Sequence, residues 1–171
     1  MTVPDLPFLQ SDRIIFKLFA CEEHLKNIKN IKLQHGDLLS KNARVSAEME
    51  IDSLISQMIG TVDSLLFRII DRFQLTGIQS DRIEIPTIIS GLSAQSNGVE
   101  LAKKLQDANL LGGSYRRFKD LRNYSLNGSL LSAEASLDVI PYFEQTLAQL
   151  KEFIKNIITN EPKLQTKESQ K

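Results

Sequence analysis

One long periodic segment limits what this chain can become. From about Ser40 to Phe73 it reads SKNARVSAEMEIDSLISQMIGTVDSLLFRIIDRF, with Ile51, Leu54, Ile55, Met58, Val62, Leu65, Leu66, Ile69 and Phe73 recurring at mostly three- and four-residue steps. At 3.6 residues per turn these side chains form one stripe, so the spacing predicts an amphipathic helix of unusual length. A stripe that long cannot stay wet, and the rest of the chain must supply its cover.

That cover also reads as helical. The stretch SDRIIFKLFACEEHLKNIKNIK places Ile14, Ile15, Leu18, Leu25, Ile28 and Ile31 at mostly helical spacing. Ser11 or Asp12 is suited to cap its start, and His35-Gly36-Asp37 supplies its stop. Pro4 and Pro7 keep the first residues extended. Residues 74–98 hold scattered Gly, Ser and Pro86, and the apolar patch at 83–92 fits a short strand, a helical turn or a packed loop, with a loop carrying one short helix favoured. Residues 98–110 predict a short amphipathic helix, LGGS interrupts, and a further helix begins near Ser114. The last helix begins near Ser132, takes Pro141 as a first-turn residue or a kink, and runs through Phe143, Leu147, Leu150, Phe153, Ile154 and Ile157. From about residue 160 to 171 the polar tail NEPKLQTKESQK is expected to be mobile. Little β-branched alternation argues for a sheet, so the expectation is an all-α bundle of four to five helices, as one helical domain over residues 1–171.

Composition removes several function classes. Lys plus Arg equals Asp plus Glu at 21 each, so no long-range field draws in nucleic acid or acidic membranes, and any such contact must be local. Cys21 is the single cysteine, which rules out an internal disulfide or a cysteine-rich zinc cluster. The amino-terminal residues lack a charged start followed by an apolar core. No uninterrupted apolar run approaches the roughly 20 residues a bilayer crossing needs, so no membrane association and a cytoplasmic location are expected. Phosphate loop, dinucleotide fingerprint, G-x-S-x-G elbow and H-E-x-x-H are all missing, and neither a cofactor nor a metal is expected.

The segment GSYRRFKDLRNYSLNG carries the remaining chemistry. By periodicity Tyr115, Phe118, Leu121 and Leu126 face the core, and Asn127-Gly128 matches a helix end, since both residues tolerate the left-handed conformation found there. That explains the glycine but not the pairing of Arg122 with Asn123. A long helix carrying VDSLLFRI, a polar connection and then a helix with FKDLRNYSLNG resembles the HEPN superfamily of helical bundles, whose signature is written RNxxxH. Arg122 matches the arginine and Asn123 the polar residue beside it, while Asn127 stands where the histidine belongs.

The resemblance implies a four-helix core that dimerises around the motif and, in active members, a metal-independent ribonuclease with paired Arg and His lining a cleft. In such cleavage a ribose 2′-hydroxyl attacks the adjacent phosphorus, and a group able to exchange a proton near neutral pH assists it. Histidine suits that task, and arginine offers a fork of donors to the phosphate. A carboxamide exchanges no proton in the useful range, so Asn127 removes the acid–base role. Some members carry a tyrosine two positions beyond the histidine, where this chain has Ser129. The site expected is therefore a degenerate endoribonuclease site on Arg122, Asn123 and Asn127.

Around it, Asp63 lies within the apolar run IGTVDSLLF, where an unpaired carboxylate is costly to bury, and it is the candidate partner for Arg122; Glu48 and Asp52 share its stripe but read as solvated. Arg116, Arg117, Lys119 and Tyr124 mix cations with an aromatic ring, a pattern that grips phosphates and stacks bases and that an ordinary amphipathic helix also produces. Lys26, Lys29 and Lys32 read as a solvated face, and His24 and His35 as surface or helix-end residues. Two function classes follow: an RNA-binding or RNase-related dimer, of the defence or toxin–antitoxin kind, or a non-enzymatic structural or protein-interaction module. A nucleotidyltransferase-like partner, as some HEPN proteins have, is a third expectation.

Overall fold

Helix boundaries fall where the sequence offers caps. A computed structural model of the 171-residue chain describes residues 12–36, 40–78, 83–109, 116, 120, 121, 123 and 139–165. The Asp12 carboxylate accepts the amides of Ile14 at 2.9 Å and Ile15 at 3.3 Å, and thereby starts α1, Arg13–His35. Gly36, at φ 67, ends it, a backbone angle that a side chain would strain. Ser40 Oγ accepts the Ala43 amide at 3.2 Å and opens α2, Lys41–Phe73, whose 33 residues extend about 50 Å. There follow α3, Ile85–Ser93, with Pro86 in its first turn; α4, Val99–Asn109; and α5, Val139–Thr159. The described residues are all-helical, so the short element favoured within residues 74–98 is α3, and the strand alternative is excluded there. The proline expected near the start of the final helix, Pro141, sits at the third position of α5 as described.

The predicted stripe is the core. Ile51, Leu54, Ile55, Met58, Val62, Leu65, Leu66 and Ile69 are each at most 1% exposed. At roughly 1.5–3 kcal/mol for each large side chain buried, this single helix carries a large part of the hydrophobic driving force. By length and composition α2 is also long and apolar enough to cross a membrane, although no uninterrupted apolar run predicted it; 44% of its most apolar window is buried inside the protein, while Val45, Met49 and Phe67 of the same helix are exposed.

Contacts group the chain into two compact units, whose boundaries fall inside α2 and α5. The first comprises Met1–Thr61 and Phe118–Leu150. In it α1 and the first part of α2 run side by side, and Lys29 of α1 pairs with Glu144 of α5. The second comprises Val62–Arg117 and Lys151–Lys171. There α3 packs against α4 across a tight turn, and Gln95 Nε2 donates to the Phe73 carbonyl at 2.9 Å, satisfying one of the orphan acceptors at the end of α2. The tail expected to be mobile from about residue 160 begins with structure: Pro162–Leu164 form a 3₁₀ turn, Leu164 is fully buried, and Lys163 lies 4.5 Å over the Phe73 ring. Leu164 is the apolar residue in that polar string that anchors it.

Candidate functional site

The helix carrying the motif is described at four positions, Arg116, Asp120, Leu121 and Asn123, all helical. Arg116, Asp120 and Asn123, spaced four and three apart, are exposed, while Leu121 is 5% exposed. This is the polarity expected of an amphipathic helix with Leu121 turned inward. Arg116 and Asn123 are thus on the solvent side, and Arg116 is engaged with a neighbour. Arg122, Asn127, Arg117, Lys119 and Tyr124 lie outside the described residues, as do the Asn127-Gly128 helix end and Ser129. Asp63 is half-buried on α2 and is also engaged, while Glu48 is half-buried and Asp52 exposed. Among the described residues no group of three or more His, Cys, Asp or Glu side chains is placed to hold a metal ion.

A second polar constellation lies in the first unit, along the seam between α1 and α2. His24 Nδ1 stands 2.7 Å from Glu50 Oε2, and Asn27 Nδ2 donates to the same oxygen at 3.2 Å. An ionised carboxylate has no proton to give, so the imidazole donates through Nδ1 and, when neutral, leaves Nε2 as the acceptor. Two turns earlier on α1, Lys17 Nζ donates to Gln57 Oε1 at 3.4 Å. Its stem runs over Gly60: a Cβ there would stand 2.7 Å from Nζ. Two turns later, Ile31 packs against Ala43 and Ala47.

These contacts share one register. Steps of seven along α1, from Lys17 to His24 to Ile31, are answered by steps of seven backwards along α2, from Gln57 to Glu50 to Ala43. Seven residues are nearly two turns, so the rungs stack on one side of the antiparallel pair, the two polar ones at about 10 Å spacing. His24 is therefore not the plain surface residue that the sequence suggested: its side chain is 26% exposed and its ring is held by a carboxylate. His35, by contrast, is exposed at the last position of α1, as expected. Of the basic face on α1, Lys26 is exposed beside Glu23, whereas Lys29 is drawn into its pair with Glu144. The signal that would have found the His24 rung is the equal distance of His24 and Glu50 from the turn, which sequence reasoning did not count.

No protein-family model matches the chain, and no curated protein and no solved structure matches it.

Proposed function

We propose that the chain is a HEPN-like, RNA-directed helical protein, acting as a homodimer, that retains the arginine half of a ribonuclease motif and lacks its histidine. The observation that carries this reading is RNYSLN, with Arg122, Asn123 and Asn127 in the expected spacing, in a chain whose described residues form helices around a long core helix. The exposed Arg116 and Asn123 and the buried Leu121 suit it, because they turn the polar side of that helix outward. Arg122 grips phosphate through its fork of donors, with Arg116, Arg117, Lys119 and Tyr124 extending the contact. Asn127 supplies shape and hydrogen bonds but no proton transfer, so the motif by itself binds RNA and cleaves weakly at most. A defence or toxin–antitoxin setting, with a nucleotidyltransferase-like protein as the second component, fits such a protein.

The test measures binding and cleavage of single-stranded and transfer RNA by the purified protein and by Arg122→Ala. Loss of RNA affinity in the variant, with the melting temperature kept, supports the reading. A parent that neither binds nor cleaves either RNA refutes it. Asn127→His should raise cleavage if the motif still shapes a nuclease site.

A second reading, a structural or interaction module, is favoured by one observation. Leu33 is 83% exposed, Val45 50% and Met49 67%, large apolar side chains that α1 and α2 present to solvent. On this reading Arg122→Ala lowers the melting temperature and leaves RNA affinity unchanged.

A further inference from the structure

The α1–α2 seam has two properties that a merely structural seam does not need. Lys17 is half-buried, its one hydrogen bond goes to a neutral amide at the long distance of 3.4 Å, and among the described residues no carboxylate pairs with it. Taking an ammonium partly out of water without a counter-ion is unfavourable unless an anion arrives to meet it. His24 has Nδ1 committed to Glu50, while Nε2 makes no hydrogen bond to any described residue. With His24 at 26% and Glu50 at 28% side-chain exposure, the ring is fixed by its partner yet still reachable from solvent. A carboxylate on one ring nitrogen and an open second nitrogen is the arrangement that makes histidine a directed proton carrier, because the carboxylate sets the tautomer and stabilises the imidazolium as it forms. Asn27, on the same carboxylate oxygen, keeps Glu50 from swinging away.

We propose that His24, positioned by Glu50, is the proton-transfer residue of this chain for phosphodiester cleavage in single-stranded RNA, and that Lys17 holds a backbone phosphate of the same strand. This rests on the RNA-directed reading above and supplies the acid–base group that Asn127 is not. Nε2 takes the proton of a ribose 2′-hydroxyl as its oxygen bonds to the adjacent phosphorus. The bond from phosphorus to the 5′-oxygen breaks, and the imidazolium returns the proton to that leaving oxygen. The products are a 2′,3′-cyclic phosphate and a 5′-hydroxyl end, with no net proton, metal or co-reactant consumed. The Lys17 and His24 rungs lie about 10 Å apart along α1, and both side chains project from the same side of the helix, a spacing within reach of neighbouring phosphates on an extended strand.

The experiment incubates the full-length protein with a labelled mixed-sequence oligoribonucleotide and its deoxy counterpart in buffer containing a metal chelator. Product ends, kcat, KM and Kd are read for the parent and for His24→Gln, Glu50→Gln, Lys17→Met and His35→Gln. Thermal melts confirm that each variant is folded. With only two histidines in the chain, His35→Gln assigns any histidine-dependent activity to His24. Expected are cyclic-phosphate ends on RNA alone and a loss of about 10²- to 10⁴-fold in kcat for His24→Gln with Kd unchanged. Glu50→Gln should show a smaller kcat loss without a KM change, and Lys17→Met a rise mainly in KM and Kd. His35→Gln should behave as the parent. Should His24→Gln fail to fold, the parent's product ends and the kcat loss in Glu50→Gln decide the matter. Cleavage that survives in folded His24→Gln overturns the proposal and leaves the RNA reading standing. Binding without any cleavage overturns the proposal but spares RNA binding, and a parent that neither binds nor cleaves removes both.

Discussion

Two glycines respond in opposite directions to the same added methyl group. At Gly60, inside α2, an alanine Cβ would meet Lys17 Nζ at 2.7 Å, Cε at 3.1 Å and Cδ at 3.3 Å, all on the far part of a flexible side chain. The lysine swings aside and loses its bond to Gln57, which at 3.4 Å lies beyond the usual 2.7–3.2 Å range for such bonds and is worth less than the typical ~0.5–1.5 kcal/mol. Against that loss, alanine in place of glycine inside a helix gains about 0.5–1 kcal/mol. The gain wins narrowly: Gly60→Ala should be more stable by a few tenths of a kcal/mol, about 1–2 °C in Tm for a chain of this size. At Gly98, in the turn between α3 and α4, the Cβ would meet the Leu92 carbonyl oxygen at 2.4 Å, with Leu92 C and Cα both at 3.1 Å. Those are backbone atoms and cannot rotate away, and Gly98 precedes α4, where it has no helix-interior gain to collect. Forcing the turn apart costs ~1–3 kcal/mol, a Tm lower by about 2–10 °C. Differential scanning calorimetry on both variants decides. A Gly60→Ala protein weaker by more than about 1 kcal/mol, or a Gly98→Ala protein that melts like the parent, would refute the close approaches from which both signs are derived.

Three further outcomes are expected. Removing the cap with Asp12→Ala should cost about 1 kcal/mol and fray the first turn of α1, visible as faster amide exchange at Ile14 and Ile15. Leu65→Ala, in the fully buried stripe of α2, should cost ~2–5 kcal/mol in urea unfolding, and a loss below 1 kcal/mol would contradict its burial. A double-mutant cycle on Lys29 and Glu144, both nearly half exposed, should return a coupling of only ~0.2–1 kcal/mol that fades at about 1 M salt.

Most of the helical architecture was legible in the sequence because it rests on local rules. The α2 stripe announced itself by periodicity and the Asp12 cap and the Gly36 stop by residue type, whereas the apolar patch at 83–92 left strand, turn and loop open, with the one short helix that α3 proves to be only favoured. What the sequence concealed depends on pairing between elements. Leu164 sits in a polar string and looks solvated, yet it is fully buried, and Arg68 Nη1 donates to its carbonyl at 3.4 Å. His24 looks like any polar residue on an amphipathic helix, since only the antiparallel register of α1 and α2 brings Glu50 to it. Leu121 was expected to face the core from its helical spacing, and it is buried, with Asn123 exposed.

The register of the α1–α2 seam has a genetic corollary. Lys17 and Gln57 each lie twenty residues from position 37, His24 and Glu50 each thirteen, and Ile31 and Ala43 each six, so the ladder is counted outwards from its turn. A single residue inserted between His24 and Gly36 would rotate Lys17 and His24 together by about 100° and carry both off their partners at once. Point substitutions edit the rungs one at a time, but insertions and deletions within the helices act on several together. In a lineage of such chains the connection between the helices can vary in composition, while the count of residues on either side is held under a constraint that no individual side chain reveals.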